Sequence, residues 1–255
     1  DEVFSSYVDD PCHSQNEVCS VLGEHVLSAA FEGYNSCVFA YGQCGTGKTY
    51  TIFGNELTQG LIQHVNQEIF NKAAFSNPDT SYRAEISLLE IYNECINDLL
   101  AKNSNQNVMT RNNSLKVHDD PERGAYVERL TKQIVTNADE IETLIEKGMK
   151  NRIALQSSDG LSRRSHTVFM LQFTQAKMID GVPSEKVSTL SFVDLAGTDR
   201  RHAKDDRTIT PDEDNEVAIA RSLQAFGQVI SSLASKNKQL DGNEQTDIEI
   251  PYKES

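Results

Sequence analysis

The chain has 255 residues, of which 38% are hydrophobic and 24% are charged, and this balance is typical of a globular protein. Its formal net charge of −14 argues against binding to nucleic acid, because phosphates require Lys and Arg. No apolar run is long enough to cross a bilayer and no signal peptide opens the chain, so no membrane association is predicted. Five scattered cysteines without a C-x-x-C pair favour a reduced compartment, the cytoplasm.

The first predicted elements are a helix and a buried strand. Ser14 followed three residues later by Glu17 matches a capping box, and apolar residues at helical spacing continue the helix towards Gly33. Residues 37–41 form a short apolar run rich in β-forming residues, which predicts a buried strand.

The segment after this strand fits the pattern G-x-x-x-x-G-K-[ST] at every fixed position. Its glycines allow a tight turn that exposes backbone N–H groups to an anion, and a helix predicted to begin near Lys48 adds the positive end of its dipole. Lys48 would reach the β- and γ-phosphates of a nucleoside triphosphate, and the Thr49 hydroxyl would bind Mg²⁺. The predicted nucleotide-binding residues are Gly42, Gln43, Cys44, Gly45, Thr46, Gly47, Lys48, Thr49 and Tyr50.

The next part of the chain alternates between helical and strand patterns. Helical spacing of apolar residues predicts an amphipathic helix over 60–74, and alternation predicts a strand over 83–92. A short helix is predicted over 93–100, followed by a polar surface loop over 101–113.

The second half continues with short strands and two helices. Strands are predicted over 115–118 and 125–127, and a helix over 137–152. Two longer strands over 166–175 and 187–193 are joined by a hairpin.

The last predicted elements are an acidic, mobile segment over 205–216 and a long helix over 217–235. The order of elements predicts a single α/β domain over residues 1–255, with a central, mostly parallel β-sheet flanked by helices as in P-loop nucleoside triphosphatases.

Two further segments carry chemistry that hydrolysis would need. Asp194 follows an apolar strand, where its carboxylate could hold a Mg²⁺-bound water, and the N–H of Gly197 could reach the γ-phosphate. An ordinary Asp at the end of a strand is the alternative for this short D-x-x-G pattern. Ser162, Arg164 and Ser165 precede another strand and could contact Mg²⁺, water or a carboxylate, although a basic solvated loop is the better explanation from the residues alone.

Together these segments resemble a kinesin motor domain, in the family's order and through nearly the whole chain. The resemblance rests on seven segments: AYGQCGTGKTYTIFG, GLIQHVNQEIF, SLLEIYNECINDLL, NRIALQSSDGLSRRSHTVF, SFVDLAGTDR, AIARSLQAFGQVISSL and IPYKES. They are similar to the family's phosphate loop, the helix after it, the EIYNE strand, switch I, switch II, the microtubule-facing helix and the segment that follows it.

The resemblance implies an ATP hydrolase that uses ATP and Mg²⁺ and acts on microtubules in the cytoskeleton. It assigns catalytic roles to Ser162, Arg164, Ser165, Asp194, Gly197 and Asp199, with Thr49 at the metal and Asp194 reaching it through water. Arg164 and Asp199 would form the latch that closes switch I onto switch II. Dimers would form through regions outside this chain, and direction and cargo are not encoded in it.

Several positions depart from the family's pattern and put activity in doubt. Arg163 replaces a serine whose hydroxyl is expected at Mg²⁺, and a guanidinium offers a metal no acceptor. Cys19 replaces an aromatic expected beside adenine, and Tyr50 either takes that place or only packs. The family's first strand and last helices have no counterpart within the chain. An acidic segment precedes the microtubule-facing helix, with Asp205, Asp206, Asp212, Glu213, Asp214 and Glu216.

Two functions therefore remain open at this stage, with an unrelated P-loop nucleoside triphosphatase as a distant third. The first is a microtubule-stimulated motor ATPase. The second is a degenerate kinesin-like domain that hydrolyses ATP weakly or not at all and serves as a binding or scaffold module.

Overall fold

The computed structural model describes residues 4, 14–74, 79–101, 114–121, 124–152, 165–179, 181–198, 211–242 and 250–252, with the side chains of the last helix described over 217–236. The chain divides into two compact units, residues 1–197 and residues 198–255. Each unit is described by itself.

The first unit carries four helices and eight strands in its described part. The helices are α1 (Gln15–Glu32), α2 (Lys48–Phe53), α3 (Leu61–Ala74) and α4 (Ala138–Lys150). The strands are β1 (Ser36–Ala40), β2 (Thr80–Tyr92), β3 (Cys95–Asp98), β4 (Val117–Asp120), β5 (Gly124–Val127), β6 (Gln133–Val135), β7 (His166–Ile179) and β8 (Val182–Asp194). Among the described residues no helix is long and apolar enough to cross a bilayer.

Six of these strands form one mixed sheet, which confirms the α/β class but corrects the expected strand directions. The order is β1-β8-β7-β2-β3, with β6 also paired to β2. Only β1 and β8 pair in parallel within the described chain, whereas β7–β8, β2–β7, β2–β3 and β2–β6 are antiparallel. Hairpins rather than helical crossovers join β2 to β3 and β7 to β8, and a hairpin can only connect antiparallel strands.

The segment after β2 is a strand and not the predicted short helix. Asn93 and Glu94 both have positive φ angles, 49° and 60°. Two consecutive left-handed residues make the tight turn of a β-hairpin, so the chain reverses and Cys95 pairs with Tyr92. Cys95 and Ile96, which could have lined a helix, are instead buried in β3.

The core of the first unit lies on one face of the sheet. Phe31 of α1 packs edge-on against Phe173 of β7, which stacks on Tyr82 of β2 at a centroid distance of 5.6 Å. Helix α1 begins as predicted, because the Ser14 side chain accepts a hydrogen bond from the N–H of Glu17. The fully buried Leu61 shows that α3 also contributes to this core.

Several other elements match their predictions apart from length. The β4–β5 hairpin forms near the predicted place, and β7 and β8 extend about four residues further towards their turn than their patterns indicated. Most of the loop predicted over 101–113 and the loop containing Ser162 lie outside the described residues.

The second unit is described mainly through one long helix, α5 (Pro211–Gly242). It begins before and ends after the predicted range of 217–235, so residues 211–216 are helical rather than part of a mobile loop. Pro211 suits the first position of a helix, where its missing N–H costs nothing. Residues 205–210 lie outside the described part.

Candidate functional site

The parallel pairing of β1 and β8 places the loop after β1 and the segment after β8 next to each other. Ala40, the last residue of β1, is in register with Asp194, the last residue of β8. The N–H of Leu195 then donates to the carbonyl of Ala40 over 3.2 Å. Because both strands end at the same edge, the phosphate loop and the segment after β8 leave the sheet side by side.

The phosphate loop, residues 42–49, forms the tight turn that its glycines predict. Gly45 and Gly47 have φ angles of 81° and 87°, in the left-handed region where a side chain would be strained. Gly47 immediately precedes α2. The Lys48 ammonium donates to the carbonyls of Gly42 and Gln43 over 2.9 and 2.7 Å. The lysine charge is therefore held at the loop itself.

A hydrogen bond joins the phosphate loop to the segment after β8. The hydroxyl of Thr49 donates to Oδ2 of Asp194 over 2.6 Å. Asp194 is only 4% exposed, and its Oδ1 atom has no hydrogen-bond partner. Burial raises the pKa of this carboxyl, while the Thr49 hydrogen bond and the charges of Arg152 and Lys48 lower it in part.

Gly197 lies directly against the phosphate loop. A Cβ atom added there would overlap the Sγ atom of Cys44 and approach the backbone of that residue. Only a glycine allows this close approach. Cys44 is half-buried.

Ser165 belongs to a buried cluster around Arg152. Nη2 of Arg152 donates to the Ser165 hydroxyl over 2.8 Å, and its Nε lies 3.5 Å from Oε1 of Glu90. Arg152 and Glu90 are 2% and 0% exposed. A buried guanidinium thus pairs with a buried carboxylate and also lowers the pKa of Asp194.

His166 connects β7 to the segment after β8. The N–H of Ala196 donates to its Nδ1 atom over 3.1 Å. Burial lowers the pKa of His166 to about 4. The ring is therefore neutral at physiological pH and accepts this hydrogen bond.

The start of helix α1 is hydrogen-bonded to α2, the helix that follows the phosphate loop. The side-chain amide of Gln15 donates to the carbonyls of Tyr50 and Thr51, each over 3.1 Å. The ring of Tyr50 is 38% exposed, whereas Cys19 is buried in the core.

The structure thus brings together Thr49, Asp194, Gly197 and the phosphate loop, with Ser165 one step away through Arg152. Ser162, Arg164 and Asp199 lie outside the described residues, as does Arg163. Arg152, His166 and Glu90 were not predicted as site residues. The one sequence signal for them was Glu90, a carboxylate inside the apolar run of residues 88–92, because a buried charge requires a partner.

The oxygen atoms of the site suit Mg²⁺. Thr49 offers a hydroxyl and Asp194 a carboxylate with one unpaired buried oxygen. The described residues contain no group of three or more His, Cys, Asp or Glu side chains that could form an all-protein cage. Mg²⁺ commonly takes one or two protein ligands and completes its shell with phosphate and water. The residues present fit a metal that arrives with a nucleotide.

Comparisons with known proteins identify the family of the chain. The family model for the kinesin motor domain matches residues 1–255. The chain is 38% identical over 247 residues to human kinesin-like protein KIF16B, covering 95% of this chain and 18% of that protein. It is 36% identical over 264 residues to kinesin-related protein 1 of Dictyostelium discoideum, covering 11% of that protein. The chain therefore spans less than a fifth of the length of these relatives.

Solved structures give the same result. A KIF14 segment with ADP in complex with a microtubule has a TM-score of 0.82 and 34% identity, over 99% of this chain and 69% of that one. A fast kinesin has a TM-score of 0.76 and 30% identity, over 95% of this chain and 64% of that one. The fold, the phosphate loop and the matched sequences lead to one conclusion: the chain belongs to the kinesin motor-domain family.

Proposed function

We propose that this chain is the nucleotide-binding part of an ATP-driven microtubule motor, and that it hydrolyses ATP faster when it is bound to a microtubule. The observation that carries this proposal is the hydrogen bond between Thr49 and Asp194. It connects the loop that holds the phosphates to the segment that registers the γ-phosphate.

Each residue of the described site has a role in this function. Lys48 pairs with the β- and γ-phosphates, and the backbone of residues 42–47 surrounds them. Thr49 holds Mg²⁺ directly and Asp194 holds it through water. Mg²⁺, when bound, neutralises charge on the phosphates. Gly197 presents its N–H to the γ-phosphate.

The remaining roles rest on the family resemblance. Ser162 and Ser165 contact Mg²⁺ or the attacking water, and Arg164 pairs with Asp199 when ATP is bound. Asp199 is one methylene shorter than the family's usual Glu, which loosens this latch. A misplacement near 1 Å can cost about 100-fold in rate.

The partner and the location follow from the same family. We propose that both compact units belong to one motor domain, that its partner is the microtubule, and that it acts in the cytoplasm on the cytoskeleton. A related KIF14 segment was solved in complex with a microtubule, which supports this partner. Dimers, where they form, use regions outside this chain.

The test is ATP turnover of the purified protein with and without microtubules. We expect microtubules to raise turnover, and Lys48→Ala to abolish binding of fluorescent mant-ADP because it removes the phosphate-pairing charge. Lys72→Ala is the matched control, since Lys72 is exposed in the last turn of α3.

Two outcomes would contradict the proposal. Unchanged mant-ADP binding by Lys48→Ala would remove the site assignment. Tight binding without microtubule-stimulated turnover would favour the degenerate domain, and recovery of turnover by Arg163→Ser would then identify the cause.

A further inference from the structure

A row of buried polar residues crosses the sheet beside the phosphate loop. Glu90 of β2 is in register with Thr167 of β7, and Thr167 is in register with Asp194 of β8. Their exposures are 0%, 0% and 4%. Directly opposed residues on antiparallel strands project to the same face, with Cβ atoms about 4.5–5.5 Å apart. The three side chains are therefore neighbours on the face that also contacts α2.

Two neighbouring atoms of this row lack a hydrogen-bond partner. They are the hydroxyl oxygen of Thr167 and Oδ1 of Asp194. Glu90 differs, because Arg152 lies against it. A buried hydroxyl without a partner disfavours folding, and valine would fill the same space without that cost. The Thr167 hydroxyl can donate a hydrogen bond and Oδ1 of Asp194 can accept one, so the two atoms can be each other's partner.

The other oxygen of Asp194 is already engaged, since Oδ2 accepts the hydroxyl hydrogen of Thr49. A carboxylate held at one oxygen can still rotate about its own axis. A second bond at Oδ1 fixes its plane. Lys48 and Arg152 act on this carboxylate through charge, which attracts it without setting its orientation.

We propose that Thr167 is a positioning residue for Asp194, with its hydroxyl donating to Oδ1 when nucleotide and Mg²⁺ are bound. The inference rests on the proposed function, because it concerns the carboxylate assigned to the metal-bound water. Thr167 touches neither nucleotide nor metal. It orients the group that does, as partners behind metal ligands commonly do.

The test measures Mg²⁺ dependence rather than turnover. Binding of mant-ADP is titrated at increasing Mg²⁺ for the wild type, for Thr167→Val, which keeps the shape, and for Thr167→Ser, which keeps the hydroxyl. We expect Thr167→Val to need about tenfold more Mg²⁺, the usual effect of removing such a partner, and Thr167→Ser to need no more than the wild type. Thr189→Val is the control, at a half-exposed threonine on β8.

A purely structural role gives a different result. Thr167→Val would then change the thermal unfolding midpoint in EDTA without nucleotide, and its Mg²⁺ requirement would equal that of the wild type. An Mg²⁺ requirement of Thr167→Val equal to that of the wild type would overturn the inference. A Thr167→Ser variant as impaired in Mg²⁺-dependent binding as Thr167→Val would also overturn it. Failure of the wild type to bind mant-ADP at any Mg²⁺ concentration would instead overturn the proposed function, and this inference with it.

Discussion

At the scale of single residues, one ring nitrogen holds the segment after β8 against the sheet. The N–H of Ala196 donates to Nδ1 of His166, whose pKa burial lowers to about 4. A protonated ring would direct a second N–H at the N–H of Ala196 and would also place a charge in the interior. Acid is therefore expected to release this segment before the rest of the sheet.

Lowering the pH from about 7.5 to about 5.5 is expected to reduce the free energy of unfolding by about 1 kcal/mol through His166 alone. The unfolded chain takes up this proton near pH 6.5, whereas the folded chain does so only near pH 4. The unfolded chain therefore binds more protons between these values. The stability that neutral His166 contributes is complete above pH 6.5 and is lost as the pH falls through this window. Urea unfolding at the two pH values measures the effect.

His166→Asn provides the control for this measurement. Its side-chain oxygen can accept from Ala196, but the amide does not titrate. The variant should lose about 1 kcal/mol less than the wild type over the same pH change. Equal losses in the two proteins would mean that another group governs the pH dependence.

At the scale of elements, Arg152 joins three parts of the chain. It lies just after α4, pairs with Glu90 of β2, and donates to Ser165 just before β7. Replacing it with Ala is expected to cost about 3–5 kcal/mol, because the buried carboxylate of Glu90 would lose its ion pair with a buried guanidinium. Urea unfolding at neutral pH measures this loss.

Two further variants separate the buried pair from a general effect of losing an arginine. Arg83→Ala removes the partner of Glu85 in an exposed pair and should cost less than about 1 kcal/mol. The double change Arg152→Met with Glu90→Leu should recover much of the stability lost by Arg152→Ala, since no buried charge remains. An Arg152→Ala variant as stable as the wild type would show that water already solvates Glu90.

The elements also show which parts of this fold are predictable from sequence. Helix α1 and the phosphate loop were predicted correctly, because a capping box and a glycine pattern act over a few neighbouring residues. The helix predicted over 93–100 was wrong, because two left-handed residues, Asn93 and Glu94, form a hairpin turn. A glutamate with positive φ is rare, so the residue types of this turn did not indicate a left-handed backbone.

The site also contains residues that the sequence predicts and residues that it does not. The sequence motifs predicted Thr49 and Asp194 separately as site residues, and in the structure the two side chains are hydrogen-bonded over 2.6 Å. Thr167 lies next to Asp194 only through the pairing of β7 with β8, and Arg152 reaches the site through its contacts with Glu90 and Ser165. No local pattern reports such a pairing, and both residues also suit an ordinary helix end or strand.

At the scale of the whole molecule, the negative net charge of the chain is unfavourable for binding to the proposed partner, the microtubule. The net charge is −14, and the resemblance implies an acidic tubulin surface. Six of the acidic residues fall within residues 205–216, immediately before and within the first turns of α5. Acidic residues at the start of a helix stabilise it, so those from 212 onwards have a reason to be there apart from any partner.

Neutralising this segment is expected to speed association with microtubules. Changing its six carboxylates to amides brings the net charge from −14 to −8 and would remove repulsion close to α5, the helix proposed to face the microtubule. We expect the association rate to rise about tenfold at low salt. The gain should shrink at an ionic strength of about 0.15 M, where the screening length is about 8 Å. Stopped-flow light scattering measures the rate, and circular dichroism checks that α5 remains helical.

A variant with the same change in net charge at another place separates local from global repulsion. Six exposed acidic residues of the first unit serve this purpose: Glu24, Glu32, Glu56, Asp79, Glu94 and Glu146. Charges act weakly beyond a screening length, so a gain confined to the first variant would show that the repulsion arises at residues 205–216. If both variants gain equally, the effect belongs to net charge. If neither gains, residues 205–216 do not face the microtubule during association, and their acidic character then serves the start of α5 alone.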